Sequence, residues 1–111
     1  MVVYVVWLPA LSFQTPSKLQ ENGVEAAKII PDMRARFYSD PKEFTGATYG
    51  KLLNIPNGAP AWDIYFVFDP DARWENELPK PYYWMHQLWG MDPKLLLNGP
   101  VFFEHVKKLL R

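Results

Sequence analysis

Eleven prolines in 111 residues constrain this chain more than any other feature of its sequence. Proline fixes φ and has no amide hydrogen, so it opens and closes elements and rarely sits inside them. These prolines form no single run. They punctuate, and the elements lie in the intervals between them.

Residues 2–8, VVYVVWL, are β-branched, aromatic and continuously apolar. That pattern predicts a strand buried on both faces, as at the centre of a sheet with helices on either side. "TPSKLQENGVEAAKIIP" predicts a helix with Thr15 as N-cap and Pro16 as first helical residue. Leu19, Gly23, Ala26, Ala27 and Ile30 share one face of it, and Pro31 ends it; Asn22-Gly23 ends it sooner if it is short. "MRARFYS" alternates Met33, Ala35 and Phe37 with Arg34, Arg36 and Tyr38, which predicts a second strand. "DPKEFTGATYGKLL" predicts a helix with Asp40 as cap, Pro41 at its first position and Glu43 completing a capping box. Gly46 and Gly50 weaken it.

After the loop "NIPNGAP", "AWDIYFVFDP" is the best strand in the chain. Trp62, Ile64, Phe66 and Phe68 lie on one face, and Asp63, Tyr65, Val67 and Asp69 on the other. Pro70 stops it. "YYWMHQLW" reads as a short helix or turn, and Asp92-Pro93 starts another turn, which Asn98-Gly99 ends. The last helix opens at Pro100, buries Phe102, His105, Val106 and Leu109, and sets Glu104 four residues before Lys108. The order predicts a single α/β (or α+β) domain over 1–111 with a β-α-β-α-β-α layout. Its central, mostly parallel sheet places strand 2–8 beside strand 62–68, flanked by helices.

One stretch carries a resemblance. "GAPAWDIYFVF" sets a proline just before a buried strand and resembles the cis-proline region of the thioredoxin fold. It implies a thioredoxin-like topology as an alternative and leaves a cis bond at Ala59–Pro60 open. Thioredoxins carry Cys-x-x-Cys at the first helix, where this chain reads "PALSFQTP". Thioredoxin chemistry is excluded even if the fold is shared.

Composition narrows function by exclusion. Twelve basic and twelve acidic residues cancel, so there is no general electrostatic drive toward nucleic acid. The basic cluster Lys107, Lys108 and Arg111 suits the negative end of a helix dipole. With no cysteine there is no disulfide, thiolate nucleophile or iron–sulfur site. The chain suits a reducing cytoplasm, the expected location. The apolar start is too short for a membrane helix and lacks the basic flank of a signal peptide, so no membrane partner is expected. "TGATYGKLL" is one residue too short for a phosphate-binding loop and has Leu52 where a hydroxyl would be needed.

Aromatic residues make up 16% of the chain, with five tryptophans. Many crowd residues 74–89: Trp74, Tyr82, Tyr83, Trp84 and Trp89, with prolines close by. Such clusters suit interface hot spots. The favoured reading is therefore a non-enzymatic binding or protein-interaction domain, with a protein partner or self-association. The alternative is a small enzyme or small-molecule-binding domain with a pocket over the strand ends, built from Asp69, Asp71, Arg73 and His86 and walled by Trp74 and Trp84. Turn chemistry is the plainer account of "DPDAR", and a satisfied structural or interface residue the plainer account of His86. Asp63 is the sharpest anomaly: a carboxylate within an apolar strand is either buried and paired or stands at the strand start in water. No metal or cofactor is expected, since two histidines nineteen apart give no helical ligand spacing.

Overall fold

The computed structural model describes residues 1–8, 24, 28 and 32–110. The expected first helix, over 15–30, lies outside the described residues apart from Val24 and Lys28. The described elements are β1 (Val3–Trp7), β2 (Ala35–Ser39), α1 (Phe44–Leu52), β3 (Ile64–Val67), β4 (Tyr83–His86) and α2 (Gly99–Leu109). Single 3-10 turns cover Pro56–Gly58 and Pro93–Leu95. The chain is thus mixed α/β, but the expected central sheet is replaced by two separate two-stranded sheets, β1-β2 and β3-β4. Among the described strands, only β1 and β2 run parallel. The contacts divide the chain into two compact units, 1–47 and 48–111.

In the first unit, β1 and β2 pair in register from Val3–Ala35 to Trp7–Ser39. The Val3 N–H donates to the Arg34 carbonyl at 3.0 Å, and the Asp40 N–H donates to Trp7 at 2.8 Å. The apolar run of β1 predicts burial on both faces, yet Val3, Tyr4 and Val6 are exposed. Among the described residues β2 is its one sheet neighbour, and there β1 is an edge strand rather than a central one.

The entry to β2 is fixed by Asp32. Its Oδ1 accepts from the Arg34 backbone N–H at 2.9 Å and from Nε at 3.0 Å, and its Oδ2 accepts from the same guanidinium at 2.7 Å. These bonds, more than the charge alone, hold the Asp32 carboxyl down at about 2. The folded value lies below the unfolded one, so the contribution is present above the ordinary aspartate range. It is lost as pH falls from about 4 toward about 2. We expect the Asp32 carboxyl carbon to titrate by NMR with a midpoint near 2, and the Arg34 Nε resonance to follow it. A midpoint in the ordinary aspartate range would show that the fork is not formed. Because the pair is exposed, little effect on stability is expected.

Helix α1 begins later than its sequence implies. Pro41 and Lys42 form a turn, and Glu43 has φ of 55°, outside the helix. Asp40 still caps, from further back: Oδ1 accepts from the Phe44 N–H at 3.1 Å, and Oδ2 from the Thr45 N–H and hydroxyl at 2.7 and 2.6 Å. The capping box with Glu43 is not formed, because the Glu43 N–H turns back to the Asp40 carbonyl. The division between the two units falls inside this helix.

The second unit is built around Tyr49, which is 2% exposed, with Ile55 and Ala61. Close approach at Gly50 makes this packing possible. A Cβ added there would stand 2.5 Å from the Ala59 carbonyl oxygen and 3.1 Å from Pro60 Cα. Both are backbone atoms and cannot swing aside. Gly50→Ala is therefore expected to destabilise by about 1–3 kcal/mol, despite alanine's better helix propensity. A urea midpoint equal to or above that of the unsubstituted chain would sink this account.

β3 and β4 pair antiparallel, with Ile64 opposite His86 and Val67 opposite Tyr83. The segment expected as a short helix or turn, "YYWMHQLW", is thus strand over half its length, Tyr83–His86, and turns only at Trp89. Its aromatic run favours the extended state, and Phe66 and Tyr65 meet Trp84 and Met85 across the ladder. The strand faces follow the period of two. Ile64, Phe66 and Phe68 pack on the Tyr49 core, with Phe66 at 4.6 Å between ring centroids. On the other face Tyr65 meets Phe102 edge-on and Tyr83 stacks flat on His105 at 3.5 Å. These contacts come from the expected stripe of the last helix, where Phe102, His105, Val106 and Leu109 are half-buried. Asn98 caps α2 through the Val101 N–H at 3.1 Å, and Glu104 pairs with Lys107 rather than Lys108. The Ala59–Pro60 bond is trans.

Candidate functional site

The antiparallel register decides which of the expected site residues can meet. Asp69, Asp71 and Arg73 follow the end of β3, opposite the start of β4. His86 lies at the other end of the ladder, beside Ile64. Asp69 lies five positions beyond Ile64, roughly 17 Å of extended chain from the His86 end. The four residues expected to share a pocket are not brought together.

Asp69, Arg73 and His86 are each occupied locally. Asp69 forms an Asx-turn, its Oδ1 accepting from the Asp71 N–H at 2.9 Å and its carbonyl accepting from Ala72. The Arg73 guanidinium donates to the Pro70 and Ala72 carbonyls at 3.4 and 3.1 Å, so it closes the turn instead of pairing with a carboxylate.

His86 is 1% exposed. Its Nδ1 accepts from the Leu88 N–H at 3.0 Å, and its Nε2 lies 2.8 Å from the Asp92 carbonyl. An amide N–H can only donate and a carbonyl can only accept. The pair therefore selects the neutral ring with its proton on Nε2. Both nitrogens are spent, and the ring pins the segment after β4 against Asp92. Asp92 in turn accepts from the Lys94 N–H at 2.9 Å, starting the turn expected there. His86 is a buried clamp between two backbone segments.

Asp63 stands at the strand start, with φ of 54° and an exposed side chain. Left-handed backbone suits aspartate better than most residues, and the conformation explains a carboxylate at the head of an apolar strand. Its carbonyl accepts from the Gln87 N–H at 3.2 Å. Its carboxylate lies 3.2 Å from the Tyr65 hydroxyl, which donates to Gln87 Oε1 at 2.6 Å. Burial first, and the Asp63 charge second, push the Tyr65 hydroxyl above its ordinary range.

The aromatic residues divide. Trp74 packs edge-on against Phe68 and Tyr49 at 5.3 and 6.0 Å, so it is a rim of the core. Trp84 is half-buried opposite Phe66 and 6.0 Å from the His86 ring. Tyr82 is exposed and leans toward His105 at 6.3 Å. Trp89 alone of the expected site residues lines a cleft. That cleft, of about 550 Å³, opens where β3 begins and β4 ends, between residues 55–62 and 87–91. Ile55, Pro56, Pro60, Trp62, Trp89 and Met91 form its walls, and no charged side chain lines it. Asn57 and Gly90, with φ of 62° and 78°, turn its two rims.

The other wall residues, Trp62 foremost, were missed by sequence reasoning. By period Trp62 belongs with Ile64 and Phe66, but the left-handed Asp63 breaks the alternation and leaves the indole exposed. An aspartate next to a strand's first tryptophan was the available signal. Among the described residues, no three His, Asp or Glu side chains gather to hold a metal, and no helix is long and apolar enough to cross a membrane. No protein-family model, curated protein or solved structure matches the chain significantly.

Proposed function

We propose that this chain is a non-enzymatic binding or protein-interaction domain, and that the cleft between residues 55–62 and 87–91 is its binding surface. One observation carries the reading: Trp89 holds a whole indole in solvent at the mouth of an uncharged, apolar cleft faced by Trp62. Leaving that much apolar surface in water is costly unless a partner covers it, and tryptophan is enriched at interface hot spots. A neutral net charge favours a protein or peptide partner, including a second copy, over nucleic acid. A cytoplasmic setting fits the cysteine-free sequence. No observation favours the enzymatic alternative, since Asp69, Asp71 and Arg73 lie at the far end of the ladder from His86.

Panning a displayed random-peptide library against the folded chain tests the proposal. Enriched binders are expected, and Trp62→Ala/Trp89→Ala should lose them, by about 2 kcal/mol or more in affinity, while its circular dichroism stays unchanged. Because Trp89 touches little of the core, Trp89→Ala alone serves if the double variant unfolds. Failure to enrich, or undiminished binding to the variants, ends this reading.

A further inference from the structure

We infer that the free edge of β3 takes an extended peptide strand, uncharged in its middle and basic at its N-terminal end. The hydrogen-bond pattern locates the edge. The carbonyls of Asp63 and Val67 accept from the Gln87 and Tyr82 N–H groups at 3.2 and 2.8 Å. Backbone groups alternate in direction along an antiparallel strand, so residues 63, 65 and 67 face β4, and Ile64 and Phe66 face away from it. Among the described residues, no hydrogen bond reaches the outward N–H and C=O groups of Ile64 and Phe66. Neither residue lines the cleft. The opposite edge of the sheet differs. There the Leu97 N–H donates to the His86 carbonyl at 2.8 Å, and Leu96 bridges to His86, so the chain after Pro93–Leu95 covers the end of β4. An open main-chain row is satisfied by water or by a partner strand. The partner that matches donors and acceptors alternating at strand spacing is another extended backbone.

Charge selects the occupant. β3 itself holds no charged residue, and no lysine or proline blunts it. The loop that leaves its end is acidic. Asp69, Asp71, Glu75 and Glu77 are all exposed, and none forms an ion pair among the described residues. Arg73, the one cation in residues 69–77, is turned onto the Pro70 and Ala72 carbonyls. The same acids count against a second copy. Two β3 strands paired antiparallel about Phe66 would bring Asp63 of one toward Asp69 of the other. A foreign antiparallel strand with basic residues at its N-terminal end instead sets those residues beside the acidic loop. Its backbone bonds supply affinity, and its charges fix direction and register.

The experiment adds the capped peptide Lys-Lys-Thr-Val-Thr-Val-Thr-Val to ¹⁵N-labelled protein. One control is N-methylated throughout its Thr-Val run, which removes its backbone donors. A second carries Glu-Glu in place of Lys-Lys. Saturable shifts of the Ile64 and Phe66 amides, with slowed hydrogen exchange at both, are expected for the probe and for neither control. Affinity should fall severalfold as salt is raised to the physiological range. Asp69→Asn/Asp71→Asn/Glu75→Gln/Glu77→Gln removes the charges of the loop and keeps a side-chain oxygen at 69 for its turn. It should weaken the probe by about tenfold and remove most of the salt dependence, with circular dichroism unchanged. Equal binding of either control, binding that leaves Ile64 and Phe66 unshifted, or undiminished binding to the substituted chain would each overturn the inference. So would no binding at all. Protection of the same amides that grows with protein concentration alone would assign the edge to a second copy and overturn it too.

Discussion

Tyr49→Ala is expected to destabilise the second unit by about 3–5 kcal/mol, as large aromatic truncations in a core do. Small domains hold only about 5–15 kcal/mol in total, so the variant should be largely unfolded on modest warming. The ring is the centre of the packing: Phe66, Phe68 and Trp74 all lie within 6.2 Å of its centroid. Its hydroxyl also donates to the Pro79 carbonyl at 2.9 Å. Tyr49→Phe separates the two contributions. It keeps the ring and removes that bond, and should cost about 0.5–1.5 kcal/mol. Burial pushes the Tyr49 hydroxyl up to about 12. A folded value above the unfolded one means the stabilisation is whole below about 10 and is lost as pH rises from there toward about 12. Urea unfolding of both variants decides the matter: equal losses for Ala and Phe would show that the ring is not the keystone.

His86→Ala is expected to cost about 3 kcal/mol or more. Truncation leaves the part-buried Leu88 N–H and Asp92 carbonyl without their partners and opens a cavity where a side chain only 1% exposed had been. His86→Asn places an oxygen close to the position of Nδ1 and should recover part of the loss through the Leu88 bond. The same substitutions separate a structural from a catalytic histidine. A buried clamp loses stability on truncation, whereas an exposed catalytic group would leave the melting temperature within a degree or two. A fully stable His86→Ala would sink the clamp.

The parts of this fold legible in sequence are those set by local pattern. The alternation of Ala35 to Ser39, the run from Ile64 to Phe68, the Asp92-Pro93 turn and the stripe from Phe102 to Leu109 all need only a few neighbouring residues to specify them. β4 was not legible, because nothing near Tyr83 announces its partner. Residues 68–82 separate it from β3, where a tight hairpin would have left an Asn-Gly or similar signature. The start of α1 was misplaced because Asp40-Pro41 looks like a cap at close range, while its oxygens reach Phe44 and Thr45. His86 and Asp63 were visible as anomalies, but their burial depends on the fold around them. The cleft draws Trp62 and Trp89 from segments 27 residues apart, and no local pattern joins them.

The long connection between β3 and β4 also bears on how this unit assembles. A hairpin with a tight turn can zip from its closed end, adding one pair at a time. Here the strand ends must first be brought together across residues 68–82, and chain closure is paid in entropy before the first ladder bond repays it. The Tyr49 hydroxyl reaches Pro79 across thirty residues, and the ring beneath it gathers Phe66 and Phe68. Tyr49 thus closes from one side the same loop that β4 must close from the other. With the ring seated, the loop left for β4 to close is shorter.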